Sequence, residues 1–549
     1  MELIVQSGIQ DRVILTVRLC LAAFLLPPSA VAQQVVAEYS TSRGFAGTGD
    51  YFGSAITRLG DLDGDGVGDL LVAAIGEDGD VFPWTDDYFG AVRIISGATG
   101  AILRKHLGPE KGGRLGMQVT GGSDLDGDNV PDYVVASPLL PNVSTTEEGT
   151  ASVFSGVSGA LLFTWQGERR FDSFGSCVRM LGDVDADGVD DIGVGAPEFD
   201  AGALNGQAGR VYIFSGRTGS ALYTFTGTRP RQWLGTACGV GDIDLDGHAD
   251  FLVGSYGSNS PPSGEGQIWV YSGSTGALLY TRFGENSGDR FSARVCQLGD
   301  VDGDGAPDFA VGAEGYDVVD SEGRIYVYSG AAGKLLYTID GNHKGEQLGI
   351  LPVSGRIDFN RDGYDDIVIG ATYSPTSSTV ESVVYIHSGS NGRLLYRFSG
   401  DSHKSLNELL GTSLDPIGDL DGDGFEDLAV GAINYAANYQ GEGRVYVFGG
   451  NDLLLQIEPT DAAVGDTIVA DLRSGPPGLL GLLVMVDMAG TPLFEPLHLA
   501  PFNSFGELQL SATVPPSASG LDFTFQGFSQ NRAGRGPLMD SARVTVTVN

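Results

Sequence analysis

The chain has 549 residues, 84 of them glycine, and its 70 acidic side chains face only 32 basic ones, for a formal charge of −38. That balance excludes a nucleic-acid partner, because phosphate binding needs clustered lysine and arginine. Apolar residues make up 42% of the chain, which excludes an acidic disordered polymer and leaves a β-rich globular protein with many tight turns.

Residues 1–32 read as a signal peptide. Arg12 and Arg18 accompany the apolar run Leu19 to Leu26, and Ala30, Val31 and Ala32 supply the small residues of a cleavage site. The run is short of the ~20 residues that a membrane span needs, and no later segment is long and apolar enough for one. The expected location is therefore secreted or cell-surface associated. Three cysteines follow the cleavage site. Cys238 and Cys296 each lie four residues before the same landmark in adjacent repeats, and burial in equivalent inner strands is preferred over a disulfide.

The landmark is an aspartate-rich segment that starts at Asp61 and recurs at Asp124, Asp183, Asp242, Asp300, Asp358 and Asp419, with spacings of 63, 59, 59, 58, 58 and 61 residues. Each copy sits in one larger frame. A Phe-Gly or Leu-Gly pair comes first, as in Phe52-Gly53 and Phe174-Gly175. The aspartate segment follows, then an apolar stretch such as Ile192 to Pro197, then runs like Arg210 to Phe214 and Leu222 to Phe225. Short β-branched and aromatic runs broken by glycine turns predict four strands per repeat. A four-stranded sheet cannot cover both of its faces alone, and radial repetition solves this, so residues 33–450 are expected to form a seven-bladed β-propeller.

The Phe-Gly pair, the aspartate loop and the Gly-Ala-Pro-like end of the second strand resemble the FG-GAP repeat of the integrin alpha-subunit head. Single copies depart from the pattern: Ser292 replaces the glycine in repeat five, and only repeat three keeps Gly195, Ala196 and Pro197 together. The resemblance implies calcium loops on one face of the propeller and ligand-facing loops on the other.

The loops make the same point through their own chemistry. Asp61, Asp63, Asp65 and Asp69 stand at positions 1, 3, 5 and 9 of a short loop. The corresponding sets are Asp124, Asp126, Asp128 and Asp132; Asp183, Asp185, Asp187 and Asp191; and Asp242, Asp244, Asp246 and Asp250. The last three are Asp300, Asp302, Asp304 and Asp308; Asp358, Asn360, Asp362 and Asp366; and Asp419, Asp421, Asp423 and Asp427. Four carboxylates so close repel one another unless a cation intervenes. Oxygen-only ligands around a glycine turn select Ca2+, up to seven ions per chain. An EF-hand would need glutamate at position 12, where these loops have Val72, Val135, Val194, Val253, Val311, Ile369 and Val430. The loop therefore joins two strands.

In an up-and-down blade the second–third loops and the crossovers lie on the face opposite the calcium loops. The loops carry Trp84, Asp86, Asp87, Tyr88, Phe199, Tyr256, Tyr316, Tyr373 and Tyr435. The crossovers carry Lys111, Arg114, Arg169, Arg170, Arg229, Arg231, Arg290, Lys344 and Lys404. Exposed aromatics favour a binding role for an extracellular protein or carbohydrate ligand; packing between blades is the competing account. The six histidines, His343 and His403 among them, fall in no metal or triad spacing, and no nucleophile elbow or phosphate loop occurs. The expected function is an adhesion or ligand-binding module without catalysis. A propeller enzyme acting on carbohydrate and a structural surface or matrix protein are the rival readings.

Two candidate fourth strands, Gln34 to Tyr39 and Leu453 to Ile457, compete for the last place in blade seven. The N-terminal one is assigned there, closing the ring. Residues 451–549 hold alternating runs such as Leu482 to Asp487 and Val544 to Val548 and are expected to form an immunoglobulin-like β-sandwich.

Overall fold

A computed structural model describes residues 35–449, apart from 41–48, 78–87, 110–111, 139–147, 201, 203–205, 258–263, 317–321, 342–345, 352, 360–361, 377–378, 400–408, 421–425 and 435–441. Of residues 450–549 it describes the strands alone. The signal-peptide segment lies outside the described residues. Val35–Gly450 form one compact unit, and Asn451–Asn549 fall in a second.

The first unit holds seven four-stranded antiparallel sheets. Six of them take consecutive strands in simple order, from Phe52–Arg58 through Leu70–Ala74 and Ala91–Ile95 to Ile102–Leu107 in blade one. The seventh is completed from the other end of the chain. Val35–Ser40 pairs antiparallel with Arg444–Phe448, with Glu38 opposite Tyr446. The chain is thus all-β and a seven-bladed propeller, and its N-terminal strand closes the ring. Leu454–Glu458 instead pairs with Thr467–Arg473 in a three-stranded sheet of the second unit, whose other sheet has six strands.

The strand order explains the burial pattern. Second strands are covered on both faces by neighbouring blades: Asp132–Ser137, Asp191–Ala196, Asp250–Ser255 and Asp427–Ala432 are buried throughout. They accordingly read as unbroken apolar runs after the aspartate. Fourth strands form the outer rim, and most of Ile102–Leu107 is exposed. The core is a series of inter-blade layers. One joins Val134, Val153 and Trp165 of blade two to Phe174, Ile192 and Val194 of blade three.

The glycines of the repeat frame belong to these junctions. A Cβ on Gly195 would stand 1.9 Å from the Gly235 carbonyl oxygen of the next blade, and one on Gly431 would meet Gly53 O at 2.1 Å. No larger residue permits that approach. At the second junction Ser413 Oγ donates to Gly53 O at 2.6 Å, linking blade seven to blade one.

Candidate metal loops and the opposite face

Each aspartate loop spans the gap between the first and second strands of its blade, and its carboxylates play three different parts. The first aspartate organises the turn. Asp61 Oδ1 accepts the Gly64 amide at 2.7 Å and the Asp65 amide at 3.1 Å, while Oδ2 accepts the Gly66 amide at 2.8 Å. Asp124 and Asp300 repeat all three bonds, and Asp183, Asp242 and Asp358 repeat those from the fifth and sixth residues of the loop. In blade two Asn129 takes the glycine's place with φ of 67°, a left-handed geometry that asparagine tolerates.

The ninth-position aspartates, Asp69, Asp132, Asp191, Asp250, Asp308, Asp366 and Asp427, have no exposed surface. Asp191 Oδ2 accepts the Val184 amide at 2.8 Å, and its Oδ1 accepts the Gly216 amide at 3.0 Å. The same pair of bonds recurs at Asp69, Asp132, Asp250, Asp308 and Asp366. One carboxylate thus ties the loop to the turn between the third and fourth strands. Burial raises the pKa of Asp69 and Asp132 despite the amide donors, and likewise raises it to about 7 for Asp191, about 6 for Asp250 and Asp308 and about 8 for Asp366.

The remaining aspartates stay near the surface. In blades one to three, oxygens of positions 1, 3 and 9 gather within 4.8 Å of one another: Asp61, Asp63 and Asp69; Asp124, Asp126 and Asp132; and Asp183, Asp185 and Asp191. In blades four and five the group is positions 1, 3 and 5: Asp242, Asp244 and Asp246, and Asp300, Asp302 and Asp304. All four expected ligands of a loop are not drawn within that limit together; Asp65, Asp128, Asp187, Asp250 and Asp308 each lie outside their group. Asn360, Asp421 and Asp423 lie outside the described residues, whereas Asp358, Asp362, Asp366, Asp419 and Asp427 are placed in blades six and seven. Loop three has a feature that the aspartate pattern did not reveal: Arg217 Nε stands 3.1 Å from Asp187 Oδ2, and Nη2 donates to Asp187 O. Three carboxylates with no competing nitrogen or sulfur donor fit a hard divalent cation.

On the opposite face the aromatic residues divide. Phe199 was expected to face a ligand, but it is 1% exposed. It packs beneath Arg210, 3.7 Å from the ring centroid, with Arg169 at 5.2 Å. For this residue the packing account is the correct one, because the second–third loop folds back and Gly209 N bonds Phe199 O at 3.0 Å. Tyr316 is half-buried under Arg324 at 3.8 Å. Tyr88 is half-buried beside Arg114, and Tyr256 is half-buried beside Trp233. Arg290 pairs with Glu314, and Arg169 donates to Asp200 O. Trp84, Asp86, Asp87, Tyr435, Lys111, Lys344, Lys404, His343 and His403 lie outside the described residues, as does the side chain of Tyr373.

Two periodic features of this face went unread in the sequence. Buried Asp172, Gln232 and Asp289 cap the crossover turns, Gln232 Oε1 accepting the Thr228 and Arg229 amides. The residue after each cap lies in the left-handed region. Tyr51, Arg114, Ser173, Trp233, Arg290, Gln347 and Leu409 have φ between 49° and 56°.

The FG-GAP repeat family matches residues 234–271, 297–328, 353–387 and 410–448, which fall in blades four to seven. The chain carries FG-GAP repeats and resembles an integrin alpha propeller. It is 29% identical to integrin alpha-4 of Xenopus laevis over 210 residues, covering 37% of this chain and 20% of that protein. With integrin alpha-IIb of Homo sapiens it shares 33% over 214 residues, covering 36% and 20%. The chain spans about a fifth of the length of these relatives. Among solved structures, the Dos1 propeller aligns with 70% of this FG-GAP chain and 76% of its own at 10% identity and a TM-score of 0.39. Among the described residues, no helix is long and apolar enough to cross a membrane.

Proposed function

We propose that this FG-GAP protein is an extracellular adhesion or ligand-binding module whose propeller is held by calcium in its seven aspartate loops. The observation that carries this reading is the recurrence of three-carboxylate groups within 4.8 Å in successive blades, all in loops between first and second strands. The likeness to integrin alpha subunits supports the binding role. Confining the carboxylates to one face leaves the second–third loops and crossovers for an extracellular protein or carbohydrate. Residues 451–549 are proposed to form an immunoglobulin-like sandwich, and residues 1–32 to direct export. Metal analysis of the dialysed protein tests the loops, with several calcium ions per chain as the expected result. Chelation should lower the melting temperature, since a ligand of the native state stabilises it by mass action. One ion or none, with melting indifferent to chelator, overturns the reading.

A further inference from the structure

The first strands of the seven blades enclose a cavity of about 850 Å³ on the propeller axis, and its wall has the wrong charge for this protein. Four arginines line it, Arg58, Arg179, Arg294 and Arg356, against two carboxylates, Glu314 and Asp415. Both carboxylates have direct partners other than the side chains of these four arginines. Glu314 pairs with Arg290 at 2.6 Å, and Asp415 accepts the backbone amide of Arg58 at 2.7 Å. None of the four arginines makes an ion pair among the described residues. Arg179 donates to Gln118 Oε1 at 3.3 Å and Val178 O at 2.9 Å, and Arg294 donates to Ala293 O at 3.2 Å. These acceptors are neutral; Glu314 acts on Arg294 and Asp415 on Arg179 and Arg58 without a direct ion pair, so four positive charges face two negative ones.

The strand register places three of the arginines within a few residues of one another along the channel. Arg58 stands opposite Leu70, Arg179 opposite Gly193 and Arg294 opposite Gly312. Counted from the first aspartate of each loop, those partners lie nine, ten and twelve residues on, a depth range of about 10 Å at ~3.3 Å per residue. Burial lowers the pKa of Arg294, and the nearby charge of Arg179 adds to this while Glu314 opposes it. In a chain with 70 acidic side chains, a channel whose four arginines outnumber its two carboxylates is poised for an anion from outside. The guanidinium fork matches paired oxygens of a carboxylate, sulfate or phosphate.

We infer that the axial channel of the propeller binds a small oxyanion, through Arg179 and Arg294 with Arg58 and Arg356 beside them. The test is calorimetric titration of the full-length, calcium-loaded protein with sodium sulfate and, separately, disodium succinate at constant ionic strength. One site per chain is expected for at least one anion. A response to sulfate alone assigns a tetrahedral ligand, and a response to succinate alone assigns a dicarboxylate. Binding should weaken tenfold or more in the R179Q/R294Q double variant and stay unchanged in K334Q, which alters an exposed lysine in the turn between the third and fourth strands of blade five. Melting without added anion should be no lower in the double variant, because mutual repulsion is removed. If that variant fails to fold, R356Q carries the same comparison. Absence of binding by both anions, or binding indifferent to the channel substitutions, overturns the inference.

Discussion

The carboxylate of Asp191 and the backbone amide of Gly216 are 25 residues apart in sequence and 3.0 Å apart in space. Through this bond a residue of the aspartate loop holds the far turn of its own blade. The ninth position therefore serves the fold whether or not an ion is bound, while the exposed third position accepts only one long loop amide bond, 3.2 Å from Asp187 N to Asp185 Oδ1.

That division predicts different costs within one loop. With chelator present, Asp191→Ala leaves the buried Val184 and Gly216 amides without acceptors and should cost about 2–4 kcal/mol. Asp185→Ala removes an exposed side chain and should stay within about 0.5 kcal/mol under the same conditions. In calcium, the Asp185 variant should lose stabilisation by the ion. Urea unfolding with and without calcium measures both, and equal costs in chelator would contradict the assignment.

His387 supplies a pH dependence next to the turn that Asp366 holds in blade six. Its ring is 8% exposed and Nδ1 lies 2.9 Å from Gly392 O. Burial lowers its pKa below the usual 6.5, though the Gly392 bond and Glu346 oppose the shift. The unfolded chain then binds the proton more readily than the fold, so stability from a neutral His387 is present above about pH 6.5 and is lost as pH falls below it. Melting temperatures between pH 7.5 and 5 should decline more steeply in the wild-type protein than in His387→Gln. Parallel curves would show that another group governs this range.

Ring closure predicts an asymmetry between the two ends of the propeller. Removing residues 33–40 deletes the strand that pairs with Arg444–Phe448 and exposes an edge in blade seven. The melting temperature should drop by ten degrees or more. A chain ending at Gly450 keeps all seven sheets and should melt cooperatively near the temperature of the propeller in the full protein. Scanning calorimetry of the two truncations decides, and the opposite order would mean that closure contributes little to stability.

The parts of the fold legible in the sequence were those where position dictates residue type. Asp61 and its counterparts in blades two to six accept two or three loop amides each, and Val194 and its equivalents must be apolar between two blades, so both recur at a fixed period. The channel arginines escaped notice because they share no offset. Arg58, Arg179, Arg294 and Arg356 stand three, four, six and two residues before their loops; only the register brings them to one cavity. The left-handed rim failed for the opposite reason. Tyr51, Arg114, Ser173, Trp233, Arg290, Gln347 and Leu409 share a position but no chemistry, and backbone geometry leaves no mark on residue type when the surrounding turn enforces it. Phe199 stayed open between ligand contact and packing because an aromatic after the second strand reads the same whether its loop projects or folds back over it.

The pairing of Glu38 with Tyr446 also sets a clock. About 400 residues separate the two, and a ribosome adds roughly 5–20 residues per second. The first strand to emerge must wait tens of seconds for its partner, while six blades assemble beside it. Throughout that interval Val35–Ser40 is a strand without its sheet, and its unpaired backbone groups are open to pairing with other chains until the final blade arrives.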